Sequence, residues 1–105
     1  MAKLKKMLMN KMRPIHPGEL LRKEFLEPLD LSAHALSVAL RVPAPRINDL
    51  ARERRSVTPD TALRLARYFK TTPQFWMNLQ ASYDLKIALR DSKGRIEKEV
   101  LPHAA

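Results

Sequence analysis

Apolar residues along this chain gather in five clusters, each with helical spacing. Leu20, Leu21, Phe25 and Leu26 lie near the intervals that bury one helix face. Leu36, Val38 and Leu40 form a second cluster, and Ile47 and Leu50, three apart, a third. Leu63, Leu65, Ala66 and Phe69 make the fourth. Phe75, Trp76, Leu79, Tyr83 and Ile87 run along a longer fifth stripe. No alternation of β-branched residues persists long enough to build a sheet. The pattern predicts an all-α fold of five helices.

Start and stop residues frame these helices. Pro17 suits a first helical position, Glu19 favours the positive end of the helix dipole, and Pro28 stops the first helix. Ser32 is the expected N-cap of the second helix, and the turn after it falls at Arg41 and Val42. The third opens at Pro43 to Pro45 and runs to about Arg52. Thr58 with Pro59 and Asp60, then Thr72 with Pro73, start the fourth and fifth. The fifth is predicted to end near Ser92 to Gly94. Residues 1–13 read as a basic N-terminal arm, 14–92 as one domain and 93–105 as a short tail. The tail is open between a strand, an added helical turn and no order. Met7, Met9 and Met12 each offer an alternative start for a shorter chain.

The stretch from Leu31 to Leu50, LSAHALSVALRVPAPRINDL, has the shape of a helix-turn-helix, a device that lays its second helix in the DNA major groove. Leu36, Leu40, Val42, Ile47 and Leu50 supply apolar contacts between the two helices, and Ser37 is small where they come closest. The remaining face of the third helix then meets DNA. Arg46 can pair with guanine, and Asn48 with adenine or a phosphate. Asp49 can accept from cytosine or hold Arg46 or Arg52 in place. Ala44 and Pro45 offer apolar contact, for instance to a thymine methyl. The expected base-reading set is therefore Ala44, Pro45, Arg46, Asn48 and Asp49. The expected phosphate contacts are Ser32, His34, Arg41, Arg52, Arg54 and Arg55. A plain helical hairpin with a solvated polar face shares this pattern, but the arginines clustered beside it favour DNA.

Bulk properties agree. The chain has 105 residues, enough for one modest core. Its formal net charge of +9 calls for a polyanionic partner, with nucleic acid first and an anionic membrane or acidic protein behind it. The absence of Cys excludes a disulfide framework and a thiolate zinc site. The N-terminus lacks a signal-peptide apolar run, and no segment is long enough to span a bilayer, so a cytoplasmic location is expected. The arm carries Lys3, Lys5, Lys6, Lys11 and Arg13 without an acid. Entering a minor groove and remaining a free tail are both open to it.

Catalysis finds no support. HExxH is absent, so His16 reads as a helix-start residue rather than a metal ligand. Glu19, Glu24 and Glu27 read as solvated helix charges. No nucleophile–base pair and no phosphate-cradling glycine loop occurs. Phe75 and Trp76 are expected in the core rather than as a base-stacking platform. No enzyme activity, cofactor, metal or small-molecule substrate is expected.

RPIHPGELL at Arg13 to Leu21 resembles the opening of HigA-type antitoxins, also described as VapI-like or addiction-module antidote proteins of the Cro/C1-type (XRE) helix-turn-helix class. TPDTALRLARYFKTTPQFWMNLQASYDL at Thr58 to Leu85 is similar to that family's most distinctive stretch. The resemblance covers about Arg13 to Leu89. It implies a five-helix lambda-repressor-like domain, a homodimer on a palindromic operator in its own promoter, and a partner toxin of the RelE/HigB-like mRNA-cleaving class. Ala33 and His34 stand where the family usually has Gln, Arg41 stands at its usual turn Gly, and Arg52-Glu53 stands at its frequent Asn-Gly. Arg41 is therefore expected to be strained and to reach a phosphate itself.

The leading expectation is a DNA-binding antitoxin that represses its own operon. A stand-alone Cro/C1-type regulator without a toxin, and a helical protein-interaction module, are the alternatives.

Overall fold

A computed structural model of the chain describes residues 13–104. Within them five helical segments follow one another and no strand occurs, as the apolar spacing predicts. The arm expected over residues 1–13 lies outside the described residues, apart from Arg13.

Helix α1 begins as Pro17–Leu20 and continues as a wider π-turn over Leu21–Leu26, where the Glu27 N–H donates to the Arg22 carbonyl at 3.0 Å. Then come α2 (Ala33–Leu40), α3 (Ala44–Ala51), α4 (Pro59–Phe69) and α5 (Pro73–Glu99). Each expected N-cap is in place. The hydroxyls of Ser32, Thr58 and Thr72 accept from the N–H groups of Ala35, Thr61 and Phe75 at 3.0, 3.4 and 3.1 Å. His16 caps α1, its Nδ1 accepting from the Gly18 N–H at 2.9 Å.

The helices close on one core. Trp76, Leu20, Leu21, Leu36, Ile47, Leu50 and Leu65 are fully buried. The Phe25 ring lies 4.7 Å from Phe69 and 5.3 Å from Trp76. The Trp76 indole N–H donates to the Thr71 hydroxyl at 2.8 Å, which satisfies its one polar atom. Trp76 is thus core, as expected.

Helix α1 meets α3 at Gly18. A Cβ built there would stand 1.9 Å from the Leu50 carbonyl oxygen. Only a residue without a side chain lets the first turn of α1 rest on the last turn of α3.

Helices α1 to α4 all close the same way, and never with glycine. Asp30, Arg41, Glu53 and Lys70 take φ of 50°, 60°, 64° and 59°. The next N–H then turns back across the helix end: Leu31 to Leu26, Val42 to Ser37, Arg54 to Asp49 and Thr71 to Ala66.

Several expectations need correction. Val38 and Leu63 are each 60% exposed rather than in the core. Val38 stands two residues from Leu36, and Leu63 two from Leu65, about 200° around a helix. Glu19 and Glu24 are buried rather than solvated. Glu19 receives a paired hydrogen bond from the Arg13 guanidinium at 2.9 and 2.7 Å, which holds its carboxyl below the usual range. Glu24 stands four residues after Leu20, on the same face, and its Oε1 has no hydrogen-bond partner among the described residues. Helix α5 does not stop near Ser92 to Gly94 but runs on to Glu99. A helical glycine costs only about 1 kcal/mol, and Lys93 and Glu97 pair across that turn at 3.8 Å. The tail boundary at residue 93 therefore falls inside a helix.

Substituting the two glycines should have opposite effects. Gly18→Ala must displace the Leu50 backbone and should cost about 3 kcal/mol or more. Gly94 has nothing within 4 Å of an added Cβ, so Gly94→Ala should stabilise by about 0.5–1 kcal/mol. Urea titration reads both, and a neutral Gly18→Ala would remove the close-contact argument. His16 supplies a pH dependence. Burial holds its imidazole below the ordinary 6.5, so the folded chain binds that proton less readily than the unfolded chain. The stability it contributes is complete above 6.5 and is lost as pH falls below that value. His16→Asn, which offers a capping oxygen in place of Nδ1 and does not titrate, should flatten this part of a melting-temperature profile.

Candidate nucleic-acid interface

Helix α3 turns Ile47, Leu50 and Ala51 into the core. At about 100° per residue, Pro45, Asp49 and Arg52 lie opposite that stripe, and Arg46 and Asn48 flank them on either side. Four of the five residues expected to read bases, Pro45, Arg46, Asn48 and Asp49, thus share the outer arc of one short helix, while Ala44, about 20° from Ala51, lies on the core side of its first turn. Pro45 is exposed, and Ala44, Arg46, Asn48 and Asp49 are half-buried. Pro43 is the N-cap, with Ala44 and Pro45 opening the helix. Two prolines at this end leave few backbone N–H donors for DNA, so the side chains must supply them.

Both helices of the unit are tied at their C-terminal ends by arginines from outside it. The Arg64 guanidinium donates to the carbonyl of Leu40, the last residue of α2, at 2.8 Å. The Arg22 guanidinium donates to the carbonyl of Ala51, the last residue of α3. Each cation satisfies an orphan carbonyl and meets the negative end of a helix dipole. Arg22 also pairs with Glu53 at 3.4 Å.

The flanking Arg46 is not free. Its Nη1 donates to the Asp60 carboxylate at 2.6 Å, and the same oxygen accepts from Arg64 Nε at 2.9 Å. The Arg64 hydrogen bond first, and Arg46 with it, hold the Asp60 carboxyl below the usual range. The sequence pattern shows Asp60 only as a first-turn helix acid; its approach to Arg46, fourteen residues earlier, is tertiary and has no local signal. Arg64 and Arg22 escape sequence reading for the same reason.

The expected phosphate contacts surround α3. Ser32 and His34 are exposed at the start of α2, where the Ser32 hydroxyl already serves as N-cap. Arg41 is exposed in the left-handed turn between α2 and α3, the strained position expected of it. Arg52, Arg54 and Arg55 are exposed after α3. Asp49 holds Arg55 at 3.6 Å rather than the expected Arg46 or Arg52. The loop is pinned from beneath: Val57 is buried, and its N–H donates to the Gln80 side chain of α5 at 2.7 Å. Gln80 in turn donates to Asp84 at 2.9 Å.

Residues 23–76 match the helix-turn-helix family. The chain is 56% identical over 84 residues to Virulence-associated protein I of Dichelobacter nodosus, covering 80% of this chain and 78% of that one. It superposes on Pseudomonas aeruginosa antitoxin HigA with the higBA promoter at a TM-score of 0.84 and 52% identity, covering 88% of this chain and all of the other. The chain belongs to the HigA family of helix-turn-helix antitoxins. An addiction module antidote protein of this family from Coxiella burnetii matches as well, at a TM-score of 0.82 and 51% identity over 88% of this chain and 100% of that one. The helix-turn-helix match ends at Trp76, so most of α5 in this HigA-family chain lies beyond it. No helix among the described residues is long and apolar enough to cross a membrane.

Arg41 gives the interface a direct test. Arg41→Gly relieves a left-handed side chain and should raise stability by about 0.5–1 kcal/mol. If Arg41 grips a phosphate, the same change should weaken DNA binding and lower the salt slope by about 0.9. An unchanged slope in a salt titration removes Arg41 from the phosphate set.

Proposed function

We propose that the chain is a sequence-specific DNA-binding antitoxin that represses its own operon and neutralises a RelE/HigB-like mRNA-cleaving toxin. The observation that carries this reading is an α3 tied at its C-terminal end to α1, tethered to α4 through Arg46, and presenting Arg46, Asn48 and Asp49 beside Arg41, Arg52 and Arg54, which carry no ion pair among the described residues. The promoter DNA named with the Pseudomonas aeruginosa relative supports it. In this reading Pro45, Arg46, Asn48 and Asp49 face the bases, and Ser32, His34, Arg41, Arg52, Arg54 and Arg55 grip the backbone. The protein acts by binding, without catalysis, in the cytoplasm where its DNA lies.

A palindromic operator calls for a homodimer with recognition helices about 34 Å apart. Helix α5 supports its construction. No described residue after Gln80 is buried, yet Leu85, Leu89 and Ile96 recur at helical spacing, 62%, 48% and 47% exposed, with Val100 and Leu101 exposed after them. The buried core then ends at Gln80, and the part of α5 from Leu85 onward, with the tail, serves the second copy.

A gel shift against the protein's own upstream DNA should show discrimination over random duplex, and equal binding to both sinks the repressor half. The toxin half is checked by co-purification with the product of the adjacent reading frame. Leu89→Glu should leave the monomer folded, dissociate the dimer in sedimentation, and weaken operator binding about tenfold or more. A Leu89→Glu protein that remains dimeric places the interface elsewhere.

A further inference from the structure

Arg46 would be an ordinary reader but for Asp60. The carboxylate takes Nη1 of Arg46 at 2.6 Å, and its position is itself held by Arg64, which spans from Asp60 Oδ2 at 2.9 Å to the Leu40 carbonyl at 2.8 Å. The tip of the reader on α3 is therefore tethered to the first turn of α4 and, through Arg64, to the end of α2. We propose that Asp60 is a specificity-determining residue for DNA binding, acting by holding Arg46 toward a base edge and away from the phosphates.

The chemistry follows from the five donors of a guanidinium. One N–H on Nη1 serves Asp60. The remaining donors still present two parallel N–H groups, the pair that guanine O6 and N7 accept. Arg46 can thus keep Asp60 while reading guanine. A swing to the nearest phosphate breaks the Asp60 pair and exchanges one anion for another, which gains little. The carboxylate, 55% exposed beside the reader, also repels a phosphate drawn close to it. Non-specific binding rests on phosphate contacts, so Asp60 acts mainly against that mode. Arg64 keeps its link to Leu40 whether or not Asp60 is charged, so the fold does not hang on this one pair.

This inference rests on α3 being the reading helix. Its test is Asp60→Asn in the full chain, with wild type, Asp60→Glu and Arg46→Ala alongside, titrated against the upstream duplex and a random duplex across salt. For Asp60→Asn we expect random-duplex binding to tighten about two- to fivefold, the equivalent of one exposed ion pair. Its salt slope should steepen by about 0.9 as Arg46 takes a phosphate. Binding to the upstream duplex should not tighten, so the specificity ratio falls, and Asp60→Glu should restore much of it. Equal tightening on both duplexes makes Asp60 simple repulsion and overturns the proposal. Equal weakening with a lowered melting temperature makes it a prop for α4 and also overturns it. A specificity ratio unmoved by Arg46→Ala removes the reader and the proposal with it, while leaving α3 as the DNA helix. A wild type that cannot tell the duplexes apart refutes the DNA reading itself.

Discussion

The contact of Gly18 with the Leu50 carbonyl sets the geometry of everything above it. Helix α3 is only two turns long and has no side-chain N-cap. By itself it would not persist in water. It is held because the first turn of α1 lies directly on its last turn, with the Gly18 N–H engaged by His16 and the Ala51 carbonyl engaged by Arg22. Glycine at 18 is thus a demand of proximity, since its φ is not left-handed. Once α1 fixes the end of α3, the burial of Ile47 and Leu50 fixes its rotation, and that rotation decides which side chains face outward.

The charge of the chain divides into two kinds. Arg13, Arg22 and Arg64 are structural: they satisfy a buried carboxylate and two helix-end carbonyls. Arg46 and Arg55 are bound to Asp60 and Asp49. Arg41, Arg52 and Arg54 carry no ion pair among the described residues, and in the proposed reading they are the cations left for the phosphates. The net charge of +9 therefore overstates the local field at α3. In that reading attraction to DNA rests on fewer cations, and those flank α3.

Local chemistry made much of this legible. Ser32, Thr58 and Thr72 announced helix starts because a cap needs only the residues beside it. Ile47 and Leu50 announced the buried face of α3, and Arg41 its strained turn. The failures have equally definite causes. Val38 and Leu63 were hydrophobic but out of phase with their helices. Gly94 reads as punctuation, yet one unfavourable residue cannot end a helix whose neighbours favour it. Glu19 and Glu24 were acids on an apolar stripe, where position outweighed polarity. Asp60 and Arg64 depend on contacts between helices that no local window contains. The candidate site was therefore legible as a set of residues on α3, but not as a constrained one.

The four left-handed helix ends bear on how long the protein survives. Asp30, Arg41, Glu53 and Lys70 each accept a conformation that disfavours a side chain by roughly 1 kcal/mol or more, less the flexibility that glycine would add to the unfolded chain. With about 0.5–1 kcal/mol forgone at each, and sites far apart adding, the folding constant stands roughly 30- to 1000-fold below that of a glycine-closed chain. Such a population of transiently open molecules is what a protease samples. Each corner that holds a charged side chain in place of glycine thus enlarges the open fraction of the chain, and anything that binds the folded form reduces that fraction again by mass action.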